Sequence, residues 1–177
     1  MAGSQRDERA WVRGAQRGSV SDLESLFRHH WPRAYRAAYL VVHDSAAAED
    51  IAQESFLAAV RSLDRFDRRR PFGPGLHRIV VNRAIDWARA RALRRESGDA
   101  ALHSGAAEPA ADTHARSLAS ALAELSPEHR AVIVLRHLLE YTPGEIAELT
   151  GLPRGTVNSR LRRGLDHLAE RLGEDVR

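Results

Sequence analysis

Residues 96–115 divide the chain, because this stretch offers almost nothing to a hydrophobic core. Its sequence, ESGDAALHSGAAEPAADTHA, consists mostly of Ala, Gly, Ser, Asp, Glu and Pro, and Leu102 is its only large apolar residue. A segment of this composition cannot bury enough apolar surface to offset the conformational entropy that is lost on ordering. We therefore predict a flexible acidic linker between two small domains, residues 1–95 and 116–177.

Both flanking parts carry helix signals, and neither shows convincing strand alternation. Capping residues and capping boxes indicate helix starts at Ser21 with Glu24, Asp44 or Ser45, Ser126 with Pro127, and Thr142 with Glu145. The last helix is expected to start near Arg154 or Gly155. Residues 72–75, Phe-Gly-Pro-Gly, are a poor helix start, so we place the next helix after this break. The expected fold is all-α.

Catalytic and metal-binding functions find no support in the sequence. The chain has no cysteine, which excludes disulfides and thiolate metal sites. Its nine histidines are scattered, and the adjacent pair His29 and His30 does not have a ligand spacing. No Gly-rich phosphate loop, nucleophile elbow or His-Glu-x-x-His motif is present. We expect a protein that is not an enzyme and that has no cofactor, catalytic residue or metal site.

The sequence also favours a cytoplasmic protein without a membrane span. No stretch approaches the roughly 18 consecutive apolar residues that a spanning helix needs. The N-terminal run MAGSQRDERAWVRG is too polar for a secretory signal.

The positive charge is carried entirely by arginine and is concentrated in two places. The net charge is +3, and the chain has no lysine. Residues 61–95 hold eleven arginines against three aspartates, residues 96–128 hold six acids against one arginine, and residues 154–163 hold four arginines and no acid. A genome rich in G and C would explain the choice of arginine but not its placement. Arginine presents a planar fork of donors that suits phosphates and guanine edges.

The helix predicted over AEDIAQESFLAAVRSL has a polar stripe along one side. Asp50, Gln53, Glu54, Leu57 and Arg61 recur at i, i+3, i+4, i+7 and i+11, and mostly apolar residues lie opposite. An apolar Leu57 within this stripe favours a protein-contact surface. A solvated acidic face is the alternative.

The helix after the Phe-Gly-Pro-Gly break combines a wide apolar arc with a narrow polar one. Arg78, Asn82, Asp86 and Arg89 align on one side, and Arg83 follows Asn82. Asparagine and arginine can hydrogen-bond base edges as well as phosphates, so this arc is a candidate DNA surface. A solvated surface is again the alternative.

The run TPGEIAELTGLPRGTVNSRLRRGLDHL has the layout of a helix-turn-helix, with Gly151 at the turn. We expect its second helix to bury Val157, Leu161, Leu165 and Leu168. Its other side presents Thr156, Asn158, Ser159, Arg160, Arg162 and Arg163. Polar residues in the N-terminal part of a second helix are suited to the major groove. A plain helical hairpin is the alternative.

Taken in order, these segments resemble a bacterial RNA polymerase sigma factor of the extracytoplasmic-function (ECF) type of the sigma-70 family. The resemblance rests on DLESLFRHHWPRAYRAAYLVV, AAAEDIAQESFLAAVRSLDRF, LHRIVVNRAIDWARAR and the segment from LSPEHR to GLDHL. It covers almost the whole chain except the linker and the first few residues. The runs Glu-Asp-x-x-Gln-Glu-x-Phe and Thr-Val-x-Ser-Arg-Leu are its most specific parts.

The resemblance implies a factor that binds core RNA polymerase and directs promoter recognition, DNA melting and transcription initiation. It implies that the first domain binds polymerase and the −10 element and that the second binds the −35 element. The resemblance assigns contact with the β′ clamp helices to Asp50, Gln53, Glu54 and Leu57. It implies the β subunit of polymerase as a further partner. Contact with the −10 element falls to Arg78, Asn82, Arg83, Asp86 and Arg89. Contact with the −35 element falls to Arg154, Thr156, Asn158, Ser159, Arg160, Arg162 and Arg163.

The chain departs from the pattern of such sigma factors at one position, and two other hypotheses about its function stay open. Gly75 stands where such factors commonly have a tryptophan, which predicts a lost core anchor, a looser helix start and altered −10 recognition. The chain could instead be a sigma-like adaptor that sequesters an anti-sigma factor without touching DNA. It could also be a conventional helix-turn-helix transcription regulator. Many sigma factors of this type bind an anti-sigma factor, which makes such a protein a further candidate partner.

Overall fold

The computed structural model describes residues 2–96 and 113–174, with side chains for residues 7–95 and 116–173. Within these ranges the chain forms helices and no β-strand, so the predicted all-α fold is confirmed. In chain order the segments are α1 (Ala2–Ala15), α2 (Val20–Val42), α3 (Ser45–Arg61), a 3₁₀ turn (Leu63–Arg65), α4 (Phe72–Glu96), α5 (Thr113–Glu124), α6 (Pro127–Ile133), a π-helical turn (Val134–Leu138), α7 (Pro143–Thr150) and α8 (Arg154–Glu174). None of the helices in the described part of the chain is long and apolar enough to cross a membrane. Most of the predicted linker, residues 97–112, lies outside the described residues.

Helices α1 to α4 form the N-terminal domain, with α2 at its centre. Helix α2 packs against α1, α3 and α4, and α3 also packs against α4. The middle of this group holds Leu26, Val41, Phe72, Leu76 and Val80, each with at most 2% of its surface exposed. Burial of one such side chain stabilises the fold by about 1.5–3 kcal/mol. These contacts therefore fix which faces of α3 and α4 remain exposed.

Helix α2 starts two residues earlier than the predicted Ser21 capping box. Gly18 has a φ of 87° and reverses the chain after α1. Ser19 follows in extended backbone, and its Oγ accepts a hydrogen bond from the Asp22 N–H at 3.3 Å. Because an N-cap residue must lie outside the helix, Ser19 takes this role and Ser21 lies inside the first turn. Of the two starts predicted for α3, Asp44 is the cap: its Oδ1 accepts from the Ala47 N–H at 3.0 Å.

The expected break at Phe-Gly-Pro-Gly is wrong, because α4 begins at Phe72 itself. The Phe72 ring is 2% exposed, and its backbone N–H donates to Glu8 Oε1 at 2.6 Å. Pro74 is the third residue of the helix, where the missing N–H has no intrahelical partner to lose. The start of α4 is therefore fixed by a carboxylate from α1, more than sixty residues earlier in the chain.

Helices α5 to α8 form the C-terminal domain, and its predicted caps are confirmed. Ser126 Oγ accepts from the His129 N–H at 3.4 Å, and Pro127 occupies the first turn of α6. Thr142 and Glu145 form the expected capping box at the start of α7. Gly151 then ends α7 with a φ of 71°, which permits the sharp turn into α8. Helix α8 packs against α5, α6 and α7, in the predicted helix-turn-helix arrangement.

The buried side of α8 differs from the prediction at one position. Val157, Leu161 and Leu168 are at most 8% exposed, but Leu165 is 42% exposed. Gly164 takes the buried position instead, since a Cβ added there would lie 2.6 Å from Ile133 Cδ1. Helices α6 and α8 approach closely at Gly164, where an added Cβ would displace the end of the Ile133 side chain. The next residue, Leu165, faces outward.

The two domains pack against each other through α2 and α4. Helix α2 contacts α6 and the π-helical turn, and α4 contacts α6 and α7. His77 Nδ1 and the Tyr141 hydroxyl lie 2.8 Å apart across this interface. Burial, followed by the charge of nearby His30, lowers the pKa of His77 to about 4. The imidazole is therefore neutral at neutral pH and can share a hydrogen bond with the phenol.

Candidate functional site

The α3 stripe, defined as Asp50, Gln53, Glu54 and Leu57, is exposed over its whole length. Leu57 is 47% exposed, which is high for a large apolar side chain. The opposite side of α3 is buried against α2 and α4 and contributes Ile51, Ala52, Ser55, Phe56 and Ala59 to the core. The structure thus turns the predicted contact residues outward and leaves an apolar side chain among the acids.

The α4 arc, defined as Arg78, Asn82, Arg83, Asp86 and Arg89, lies on the solvent side of α4. Four of these side chains are exposed, and Arg83 is half-buried. The other side of the helix supplies fully buried residues to the core, namely Leu76, Val80, Val81 and Ala84. The predicted division of this helix into an apolar arc and a polar arc is therefore present in the structure.

An ion pair joins the α3 stripe to the α4 arc. Arg83 Nη1 donates to Glu54 Oε2, and both side chains are more than one-third exposed. Our sequence analysis assigned these two residues to different surfaces, one for protein and one for DNA. The packing of α3 against α4 places them side by side, so the two surfaces are continuous.

A second ion pair joins the α4 arc to the C-terminal domain. Arg89 Nε donates to Glu128 Oε1 of α6 at 2.7 Å, and Asp86 Oδ1 lies 3.9 Å from Arg89 Nη1. Partial burial of Glu128 acts to raise the pKa of its carboxyl, but the hydrogen bond and charge of Arg89 outweigh it and the pKa is lowered. The arc is thus in part engaged by the protein's own carboxylates.

The α8 surface, defined as Arg154, Thr156, Asn158, Ser159, Arg160, Arg162 and Arg163, covers the outer side of the second helix of the helix-turn-helix. Arg154, Asn158, Arg162 and Arg163 are exposed, and the other three are half-buried. Ser159 Oγ donates to the Thr156 carbonyl at 3.0 Å. The exposed residues project from the first three turns of the helix, which is the part that can enter a major groove.

Two family profiles match this chain. The profile described as Sigma-70 region 2 matches residues 26–94, and the one described as Sigma-70, region 4 matches residues 115–168. The RNA polymerase sigma factor CarQ of Myxococcus xanthus is 34% identical over 163 residues, which cover 89% of this chain and 92% of CarQ. The chain belongs to the sigma-70 family.

Other relatives place this sigma factor in the ECF group. The ECF RNA polymerase sigma factor SigW of Bacillus subtilis is 26% identical over 91% of this chain and 92% of SigW. The structure of CnrH in complex with the cytosolic domain of CnrY is similar with a TM-score of 0.71 and 28% identity. The similarity covers 96% of this chain and 99% of CnrH. As predicted, the protein is a transcription initiation factor and not an enzyme.

Arg91 is a structural residue of this sigma factor that our sequence analysis missed. Its Nη1 donates to Asp44 Oδ2 at 2.6 Å, and its guanidinium lies 5.0 Å from the centre of the Trp87 ring. Burial of Asp44 acts to raise the pKa of its carboxyl, but the Ala47 N–H and Arg91 outweigh it and lower the pKa. Arg91 and Asp44 lie far apart in the chain, so no local spacing indicated this contact.

Gly75 does not stand at a core position in this sigma factor. The residue is exposed, and a Cβ added to it would lie 3.9 Å from the Phe66 ring, an ordinary contact. Phe72 fills the core instead. The expectation of a lost core anchor and a looser helix start is therefore wrong. Gly75 lines an open groove of about 460 Å³ between the domains, which Phe66, Arg78 and Tyr141 also line.

Proposed function

We propose that this sigma factor binds the β′ clamp helices of core RNA polymerase through the α3 stripe. We further propose that it contacts the −10 element through the α4 arc and the −35 element through the α8 surface. Through these contacts it directs promoter recognition, melting and initiation. The observation that carries this proposal is the same for all three surfaces: the polar residues face outward because the opposite side of each helix is buried in the core.

The chemistry of the α4 arc suits melted DNA. Opening a duplex costs about 0.6–2.2 kcal/mol of stacking for each base-pair step. Capture of unpaired bases and of the strand backbone offsets this cost. Asn82 can hydrogen-bond a base edge, and Arg78 can bind a phosphate or a guanine. Both are exposed on one side of α4.

The chemistry of the α8 surface suits duplex DNA. Four arginines and Asn158 lie on the outer side of a helix that a Gly151 turn holds against α7. Arginine bridges phosphates and reads guanine, whereas asparagine reads adenine. Contacts to phosphates position the protein, and contacts to base edges supply part of the specificity.

The rest of the binding free energy comes from polymerase. The net charge of the chain is only +3, and Glu54 and Glu128 partly neutralise the α4 arc. We expect the isolated sigma factor to bind promoters poorly, with the holoenzyme binding them tightly. We place its action in the cytoplasm, where polymerase and promoter DNA meet.

A protein antagonist of the anti-sigma class is a further proposed partner. The similar protein CnrH is in complex with the cytosolic domain of CnrY. The exposed Leu57 on the α3 stripe offers an apolar contact for a protein partner. Such an antagonist would compete with polymerase for the same stripe.

Run-off transcription with core polymerase on genomic DNA tests the proposed function. We expect promoter-specific transcripts only when the sigma factor is present, and co-purification with core enzyme. Leu57→Ser should weaken core binding, whereas Leu118→Ser should not, because Leu118 is similarly exposed but lies on α5. Absence of both transcripts and co-purification would overturn the proposal. Dimeric binding to a palindrome without polymerase would support a conventional regulator.

A further inference from the structure

Glu8, His29 and His30 meet where α1 packs against α2. One nitrogen or oxygen atom from each of these side chains lies within 4.8 Å of the other two. His30 Nε2 is 3.3 Å from Glu8 Oε2. Glu8 and His30 are buried and His29 is exposed, so the cluster has an inner wall and a side that is open to solvent.

The Glu8 carboxylate is held in place from the protein side. Its Oε1 accepts the Phe72 N–H at 2.6 Å, which leaves Oε2 directed toward His30. Metal-binding carboxylates are commonly oriented by a hydrogen bond of this kind to their second oxygen. The same bond fixes the start of α4, so the cluster lies at a junction of three helices.

His30 Nε2 is inaccessible to water, and its near partner is Glu8 Oε2 at 3.3 Å, in poor hydrogen-bond geometry. A buried polar atom with so weak a partner is costly. A cation between the imidazole nitrogen and the carboxylate oxygen would satisfy both atoms at once.

His29 supplies the third donor from the exposed side. Its ring lies 4.8 Å from the His30 ring, measured between centroids, and is almost perpendicular to it at 87°. The Trp11 ring of α1 supports it from another direction, with centroids 5.6 Å apart. His29 and His30 alone do not have a ligand spacing, as our sequence analysis noted. Only the packing of α1 brings Glu8 to the pair and completes a set of three.

We propose that Glu8, His29 and His30 form a binding site for a divalent transition-metal ion, with Zn²⁺ as the ion that the donor set suits best. Two imidazoles and one carboxylate match the three protein ligands of open zinc sites, whereas Mg²⁺ and Ca²⁺ prefer oxygen donors alone. Tetrahedral ligands at Zn–N and Zn–O bond lengths of about 2.0–2.2 Å lie about 3.3 Å apart. The distance between Glu8 Oε2 and His30 Nε2 already has this value. The exposed His29 side chain can rotate to bring its ring nitrogen within the same distance of the other two atoms.

The ion would tie α1 to α2 and, through Glu8 and Phe72, to the first turn of α4. A ligand that binds only the folded chain stabilises it by mass action. This site does not depend on the proposed function, because none of its residues belongs to the α3 stripe, the α4 arc or the α8 surface.

Titration of the tag-free, full-length protein with Zn²⁺ or Co²⁺ alone tests the proposal. We expect wild-type protein to bind one ion at this site with a Kd in the micromolar range or below and to gain several degrees in Tm. The visible absorption of bound Co²⁺ should indicate nitrogen and oxygen ligands. His29→Ala and Glu8→Gln should each weaken this binding at least tenfold and remove the gain in Tm. The Glu8→Gln variant should still fold, because the new amide keeps an oxygen that accepts the Phe72 N–H.

His137→Ala is the matched control, because His137 is exposed on the π-helical turn of the C-terminal domain. This variant should bind the ion like the wild type. The proposal is wrong if the wild type binds no ion at these concentrations. It is also wrong if His29→Ala and Glu8→Gln bind as the wild type does, since any ion would then be held by other histidines.

Discussion

The α4 arc and the α8 surface are both rich in arginine, but among the residues that the structure describes only the arc has arginines paired with carboxylates. Arg83 pairs with Glu54, and Arg89 pairs with Glu128 of the other domain. No arginine of the α8 surface has an ion pair within the part of the chain that the structure describes. The two surfaces therefore have similar compositions, but the positive charge of the α8 surface is less neutralised than that of the α4 arc.

The effect of the unbalanced α8 charges is visible on a neighbouring histidine. Burial, followed by the charges of Arg160 and Arg163, lowers the pKa of His129 on α6. A surface with this excess of positive charge attracts phosphates directly. The α4 arc must first exchange a carboxylate for a phosphate, which reduces the net gain. The α8 surface should thus contribute more binding free energy for each arginine.

Single arginine replacements give the largest expected difference between the two surfaces. Arg162→Ala should weaken holoenzyme binding to promoter DNA by about 1–3 kcal/mol, as expected for a base-contacting arginine. Arg89→Ala should weaken it less, because Arg89 already has Glu128 as a partner. Fluorescence anisotropy with promoter fragments measures both values, and Arg36→Ala on the exposed side of α2 is the control. Equal losses of promoter affinity for Arg162→Ala and Arg89→Ala would contradict the predicted difference between the α8 surface and the α4 arc.

Acid should loosen the domain interface that holds Glu128 beside Arg89. Burial, followed by the charge of Arg130, lowers the pKa of His43 to about 4. Because the unfolded pKa is about 6.5, the full stability is present above that pH and is lost as the pH falls toward 4. The full change in pKa would correspond to a loss of about 3 kcal/mol, and solvent screening at the partly exposed ring reduces the expected loss to on the order of 1–2 kcal/mol.

Urea unfolding between pH 8 and pH 4 measures this effect. The loss of unfolding free energy is taken for each protein relative to its own value at pH 8. This loss should be smaller for His43→Asn than for the wild type. Asparagine tolerates the left-handed backbone at this position, where φ is 51°. An unchanged pH profile would show that His43 does not carry the effect.

Removal of the carboxylate that neutralises Arg89 should make the two surfaces more alike. Glu128→Gln removes the negative charge that Arg89 contacts at 2.7 Å, so promoter binding should strengthen by up to about fivefold, the range for a partly exposed ion pair. The salt dependence of binding should also become steeper. Glu148→Gln, an exposed change on α7, should have neither effect. Weaker binding of Glu128→Gln would contradict this interpretation of the pair.

The smallest expected effect tests the continuity of the α3 stripe and the α4 arc. A double-mutant cycle of Glu54→Gln and Arg83→Gln should give a coupling of about 0.2–1 kcal/mol in core binding, because both side chains are partly exposed. Surface plasmon resonance with immobilised core enzyme measures the four affinities. Additive single effects would mean that the pair has no role in joining the surfaces.

Local signals in the sequence predicted most of the helices and the outward side of each functional surface. The Asp44, Ser126 and Thr142 caps could be predicted because each bond joins residues three apart. Ser21 has a glutamate three residues later, which predicts a capping box there, but the backbone after Gly18 places Ser19 at the N-cap. Helical periodicity predicts a buried Leu165, because it cannot show how closely α6 approaches Gly164. The site assignments to polymerase and DNA stay predictions until the variants are measured.

The sequence by itself determined an all-helical chain with two polar surfaces and a helix-turn-helix, because periodicity and caps act over three or four residues. Only the tertiary structure decided which charges meet. Glu8 reaches Phe72 and His30, Arg89 reaches Glu128, and Arg91 reaches Asp44. The partners in these contacts are tens of residues apart in the chain, so only the packing of whole helices, driven by burial of their apolar sides, brings them together.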